Sequence, residues 1–369
     1  MKIVFLSNFF NHHQKPFSDE LYQLNSNYFF IETMNVPAEQ KKMGYEISNT
    51  PSYVLNYQND ENKCIQLIDN ADVIIKGSAP ESLISNRKKN KKVIVRYSER
   101  PLRHGIEILK YVPRFLKWHF LNPLGSPIYM LCSSAYTASD YRKFGLFRNK
   151  TYKWGYFTAF KEYENIHELI FRKKKNTIIW VARFLKLKHP EYVVELANYL
   201  KSKEMTFEIN MIGSGVEEKE IKELVQKNGL EKYIHLLGVM HPEKVREYME
   251  QSQIFVFTSD QQEGWGAVMN ESMNSACAVV ADRRIGSVPF LIQNGINGFA
   301  YGCKQEFFER VEHLLNDDLL RTKISTEAYR TIQEIWNPKI AARRFLELAE
   351  SLIKKSQCDL FESGPCSRA

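Results

Sequence analysis

The chain has 369 residues, 44% hydrophobic and 25% charged, which is ordinary composition for a soluble enzyme and long enough for two domains. No window holds the roughly 18 to 20 apolar residues of a membrane span, and the opening MKIVFLS is too short for the core of a secretion signal. The charge is lopsided: residues 1–160 carry a net +9 and residues 161–369 a net −1, so the first half suits an anionic membrane or a phosphate-bearing acceptor, while no motif supports nucleic-acid binding.

The first half alternates short apolar runs with helical stretches, as a parallel α/β sheet does. Strands are expected at Lys2–Ser7, Tyr28–Glu32, Asp72–Lys76, Lys92–Tyr97, Ile128–Ser133 and Thr151–Trp154. The loop after the first strand holds His12 and His13, placed either to meet an acceptor or diphosphate or to cap a helix in solvent. The strand through Val95 ends in Glu99, Arg100, Arg103 and His104. Glu99 could serve as a general base or simply pair with Arg100 or Arg103. From Tyr111 to Leu121 basic and aromatic residues interleave, a pattern shared by interfacial membrane segments and by core helices with a solvated basic edge.

The second half opens with Thr177–Ala182, a strand that runs into a basic loop containing Arg183 and Lys188. Phe207–Ile212 leads into Gly213-Ser214-Gly215, and His235–Gly238 forms a further strand and turn through Leu237. The run Ile254–Phe257 is continuously apolar, as a buried parallel strand should be. It empties into Glu263, Gly264, Trp265 and Gly266, after which helical spacing begins and places Glu271 on the helix. In doubly wound sheets ligands bind at such carboxyl-end loops. The free amides near Gly266, Ala267 and Val268 form an anion site between the two glutamates. A ligand with hydroxyls at both ends and phosphates between them fits that order. A nucleotide-diphosphate sugar is such a ligand: Glu263 on the sugar, the helix start on the diphosphate, Glu271 on the ribose. The six cysteines (64, 132, 277, 303, 358 and 366) lack metal spacing and read as reduced cytosolic thiols.

The segment EGWGAVMNE resembles the E-x7-E signature of retaining glycosyltransferases of the GT-B fold, family 4. The likeness continues through Ala278-Val279-Val280-Ala281, Gly286, Pro289 and Asn294–Phe299. It implies two facing Rossmann-like domains with a central cleft, and a last helix that crosses back to the first domain. The expected division is an acceptor domain over 1–165 plus a helix at about 338–356, a donor domain over 166–337, and a disordered tail over 357–369. Arg183 and Lys188 match the family's pair that clamps the donor diphosphate. Gly213 falls in its G-x-G segment, and Leu237 lies where related enzymes hold the base through backbone groups. The family's usual Gly-Gly pair after the first strand is absent here, so that contact does not carry over.

The resemblance implies a metal-independent hexosyltransferase that uses a UDP- or GDP-type donor and no cofactor. The acceptor would be a glycan or lipid-linked hydroxyl, in bacterial lipopolysaccharide or capsule synthesis. The enzyme would be cytoplasmic, peripherally at the inner face of the plasma membrane. An epimerase of the same double-domain fold and a non-catalytic nucleotide-sugar-binding subunit are the competing readings.

Overall fold

The computed structural model describes residues 1–38, 41, 47, 49–356 and 359–369. The backbone divides into two units, Met1–Thr158 with Trp336–Ala369 and Ala159–Ile335. The expected borders lay a few residues further on in each case.

Among its described residues unit 1 is built on seven strands: β1 (Ile3–Ser7), β2 (Tyr28–Glu32), β3 (Val54–Asn56), β4 (Val73–Lys76), β5 (Val93–Ser98), β6 (Ile128–Cys132) and β7 (Thr151–Lys153). All pair in parallel in the order β3-β2-β1-β4-β5-β6-β7. The Val/Ile/Phe runs of β1 and β4 are buried along their whole length, because helices cover both faces. Strand β3 was not foreseen; its three residues are only half-buried and carry little apolar signal. The helix Pro338–Lys354 starts where Asn337 accepts from the Ile340 amide and Pro338 sets the first turn. It packs on the helix Lys15–Leu24, with Phe345 edge-on to Phe17 and Trp154, and so belongs to the first unit.

The tail is ordered, contrary to the expectation of disorder over 357–369. The Cys366 amide donates to the Lys153 carbonyl at 2.8 Å, the Lys153 amide to the Ser367 carbonyl at 2.8 Å, and the Ala369 amide to the Thr151 carbonyl at 3.2 Å. Residues 366–369 thus pair antiparallel with edge strand β7, and Tyr152 bridges to Arg368. Small polar residues hid this because edge pairing is made by backbone, not by side chains. Gln357 and Cys358 lie outside the described residues.

Unit 2 has six parallel strands: β8 (Thr177–Val181), β9 (Glu208–Ile212), β10 (Ile234–Leu236), β11 (Ile254–Phe257), β12 (Ala278–Asp282) and β13 (Phe299–Tyr301). Their order is β10-β9-β8-β11-β12-β13. The order reverses between β8 and β11, which opens a crevice at their carboxyl ends. Two glycines let the β8 and β9 loops touch. A Cβ on Gly213 (φ +134°) would sit 2.0 Å from the Ala182 carbonyl oxygen, and one on Gly215 2.3 Å from that of Phe184. The Phe184 amide donates to the Ser214 carbonyl at 2.9 Å across the same contact. Gly213 is therefore fixed by backbone packing that carries the Arg183 loop. Gly213→Ala should lower the unfolding free energy by about 2 kcal/mol or more, because backbone rather than a flexible side chain must move. Urea unfolding checks this, and an unchanged midpoint would remove the packing role.

Candidate functional site

The crevice of unit 2 brings together residues 75 positions apart. The β8 loop carries Lys188 and the β11 loop carries Glu263; the Lys188 ammonium donates directly to the Glu263 carboxylate. Ser259 Oγ donates to the same carboxylate oxygen at 3.0 Å. The loops are stitched beneath this pair. The Asp260 amide donates to the Leu187 carbonyl at 2.9 Å, Thr258 Oγ1 to the Lys188 carbonyl at 2.6 Å, and Trp180 Nε1 to Thr258 Oγ1 at 2.9 Å. Thr258 and Trp180 are buried, so the pair stands on a rigid floor.

Beyond Glu263 the chain turns at Gly266 (φ +79°), where a Cβ would lie 2.3 Å from the Phe257 ring. Only glycine allows the loop to press on that ring. The helix that follows is Val268–Asn274. Its first helical bonds run from Met269 to Gly266 and from Glu271 to Ala267, so the amides of Gly266, Ala267 and Val268 precede the ladder. Gly264 and Trp265 are buried. The Trp265 indole donates to Asn270 Oδ1 at 2.8 Å, and its carbonyl accepts from Ser287 Oγ at 2.5 Å. The Trp265 ring is a pin that holds the loop to the core, since a large aromatic gains most by full burial.

Glu271 is half-buried one turn into the helix. Burial raises its carboxyl above the ordinary value, and the charge of Arg246 opposes that rise. Among the described residues none donates a hydrogen bond to this carboxylate. Arg183 is exposed on the β8 loop and has no ion-pair partner among the described residues. The Leu237 amide donates to the Met211 carbonyl at 2.9 Å, leaving the carbonyl as the group Leu237 could offer a ligand. His189 was missed by sequence reasoning. In the left-handed conformation (φ +46°), it bonds Glu191 at 2.7 Å, lies 3.6 Å from Asp260 and stacks on Tyr192. The Glu191 bond raises its pKa against the effect of burial, and Asp260 adds to the rise. Its signal was the unbroken run KLKHP, in which a residue must turn before Pro190.

In unit 1 the three remaining candidates converge. His13 follows β1, Glu99 follows β5, and Tyr156, which sequence gave no reason to select, follows β7. The His13 ring stacks on Tyr156 with centroids 5.7 Å apart, and Tyr156 Oη donates to Glu99 Oε1 at 2.5 Å. His12 lies against His13 at 4.0 Å, and Arg103 reaches Glu99 at 3.7 Å. Burial, with Tyr97 and Glu99 adding to it, pushes the Tyr156 hydroxyl far up. Burial lowers both histidines, and His12 lowers His13 further, to about 3. Burial thus disfavours a proton on either ring in the empty site.

Among the described residues no group of three His, Cys, Asp or Glu is arranged to hold a metal ion. No described helix is long and apolar enough to cross a membrane. Cys64, Cys132, Cys277, Cys303 and Cys366 form no disulfide.

Residues 161–331 match the family model described as glycosyl transferases group 1. The matched stretch lies within unit 2. The chain is 25% identical over 182 residues to an amylovoran biosynthesis glycosyltransferase of Erwinia amylovora, a match covering 47% of this chain and 44% of that protein. It is 31% identical over 121 residues to an uncharacterized glycosyltransferase of Methanocaldococcus jannaschii, covering 32% and 34%. The chain therefore spans less than half the length of these curated relatives. Among solved structures, Anabaena HepE in complex with UDP superposes with TM-score 0.70 at 15% identity, over 95% of this chain and 100% of that one. The pneumococcal O-GlcNAc transferase GtfA in complex with UDP and GlcNAc gives TM-score 0.70 at 11% identity, over 96% and 99%. The fold is GT-B, and the matched stretch holds Arg183, Lys188, Glu263 and Glu271.

The histidine pair of unit 1 gives a pH prediction. The unfolded chain binds a proton on His13 near pH 6.5, whereas the folded ring resists until about pH 3. The unfolded state therefore gains protons first as pH falls below 6.5. Unit 1 should lose up to about 1.4 kcal/mol per pH unit through this ring. His13→Gln should flatten the pH dependence of the urea midpoint in that window; an unaltered slope would mean that His13 is not held neutral.

Proposed function

We propose that the chain transfers a sugar from a nucleotide-diphosphate sugar to a hydroxyl of a glycan or lipid-linked acceptor, with retention at the anomeric carbon and without a metal ion. The Lys188–Glu263 pair at the reversal of the unit 2 sheet is the observation that carries this reading. It sets a cation and a carboxylate where such sheets bind ligands, within one loop of the exposed Arg183 and of the amides before Met269. Negative charge on a departing diphosphate needs fixed positive groups. Arg183 offers a fork, Lys188 a mobile point charge, and Gly266 to Val268 offer amides.

Lys188 would exchange Glu263 for phosphate as donor enters, which frees the Glu263 carboxylate for sugar hydroxyls. Glu271, half-buried and without a hydrogen-bonded partner among the described residues, would take the ribose hydroxyls. His12, His13 and Glu99 would face the acceptor, with Glu99 oriented by Tyr156. The relative named for amylovoran biosynthesis supports a role in polysaccharide assembly. The UDP in the HepE and GtfA structures supports a uridine donor.

Lys188→Ala and Arg183→Ala should each lower turnover by about 100-fold or more, with the unfolding curve unchanged for the exposed Arg183 and the fold retained by circular dichroism for Lys188→Ala, whose loss leaves Glu263 without its cation. The assay follows release of the nucleotide and the anomeric configuration of the product by NMR, with donor alone, donor plus acceptor, and chelator added. Full activity in either variant would refute the clamp. A rearranged donor without acceptor would identify an epimerase, and binding without turnover a non-catalytic subunit. Loss of activity with chelator, restored by a divalent ion, would refute metal independence.

A further inference from the structure

One helix of unit 1 is apolar on two sides. In Ile108–Leu121, Tyr111 and Trp118 point inward: Tyr111 stacks on Phe144 at 4.7 Å, and Trp118 meets Phe144 edge-on at 4.6 Å and Tyr141 at 5.1 Å. At about 100° per residue, Leu109, Val112, Leu116 and Phe120 form a stripe on the opposite side. These four are 92%, 62%, 62% and 81% exposed, and Leu124 just beyond the helix is 73% exposed. A surface helix ordinarily turns polar residues to water, and a contiguous apolar patch marks a surface that is covered in use.

The charges around the stripe indicate what covers it. Between Arg103 and Leu121 the chain has four Lys/Arg and one acid. That acid, Glu107, is held by Lys110 at 2.5 Å and Arg114 at 3.3 Å. Lys117, exposed and in no ion pair among the described residues, and Lys110, exposed but paired with Glu107, lie roughly a quarter turn from the stripe, where Lys117 can run its stem along an apolar layer to a phosphate and Lys110 can exchange Glu107 for one. By contrast Lys76, Lys88 and Arg96 converge on Glu81 and serve the unit itself. A second copy of this chain would bring one basic face against another. At 14 residues, about 21 Å long, the helix is too short to span a bilayer and would lie in its plane.

We propose that this face docks unit 1 on an anionic lipid surface, with Leu109, Leu116 and Phe120 at the acyl boundary and Lys110 and Lys117 among the phosphates. The test is flotation of the full chain with phosphatidylcholine vesicles, with and without phosphatidylglycerol. Two variants accompany it: Leu109→Ser with Leu116→Ser and Phe120→Ser, and Lys110→Gln with Lys117→Gln. All five side chains are exposed, so both variants should unfold like wild type.

The wild type should float with the anionic vesicles and be released by salt, and each variant should partition about tenfold less or weaker still. Wild type that stays in solution with anionic vesicles, or variants that float as well as wild type, would overturn the proposal. So would a wild-type dimer that the serine variant converts to monomer, since the face would then join two copies. Binding needs no sugar donor, so failure here leaves the donor-site reading standing.

Discussion

Everything assigned to unit 2 depends on one pairing, the Lys188 ammonium against the Glu263 carboxylate. Two opposite charges this close and this sheltered need geometry that neither loop could hold alone. The sheet supplies it by placing β8 beside β11 with parallel carboxyl ends. Thr258, Trp180 and the Asp260 amide lock the two loops below the pair. Glycines then let neighbouring backbone approach: Gly213 and Gly215 under the β8 loop, Gly266 over the Phe257 ring. Remove any of these and the charges remain in the sequence but not at one place. A charge pair that closes on itself is also a site that a more highly charged ligand can open.

Unit 1 organises its polar groups by a different principle. Its cations and rings are mostly committed internally, as with Arg96 and Lys76 on Glu81. There burial opposes ionisation, yet Arg96 and Lys76 hold the carboxyl well below its ordinary value. The His13–Tyr156–Glu99 chain is held together by a ring stack and a hydroxyl–carboxylate hydrogen bond. The net +9 of residues 1–160 therefore reaches the outside chiefly through the surface lysines and arginines, among them those on the Ile108–Leu121 helix.

The sequence made the strands legible because a parallel strand buried on both faces is an unbroken apolar run, as in Ile254–Phe257 and Val73–Lys76. It pointed to Glu263 with Glu271, and to Arg183 with Lys188, as two locally spaced pairs, but not to the Lys188–Glu263 contact that joins them across 75 positions. It left out what depends on contacts between distant segments. Tyr156 meets Glu99 across 57 positions and looks like any tyrosine in TYKWGYF. His189 gains its role from a backbone twist. The Trp265 ring fills the core, a packing role that its glycine neighbours do not announce. The tail's order is carried by backbone bonds to β7, which composition does not encode.

The most direct test is a crystal structure of the chain with a non-hydrolysable nucleotide-diphosphate sugar. The account predicts the pyrophosphate within hydrogen-bond reach of Lys188 Nζ and of the Gly266 to Val268 amides, with Glu263 released toward the sugar and Glu271 on the ribose. A nucleotide bound elsewhere, or one bound while Lys188 still grips Glu263 without touching phosphate, would contradict it.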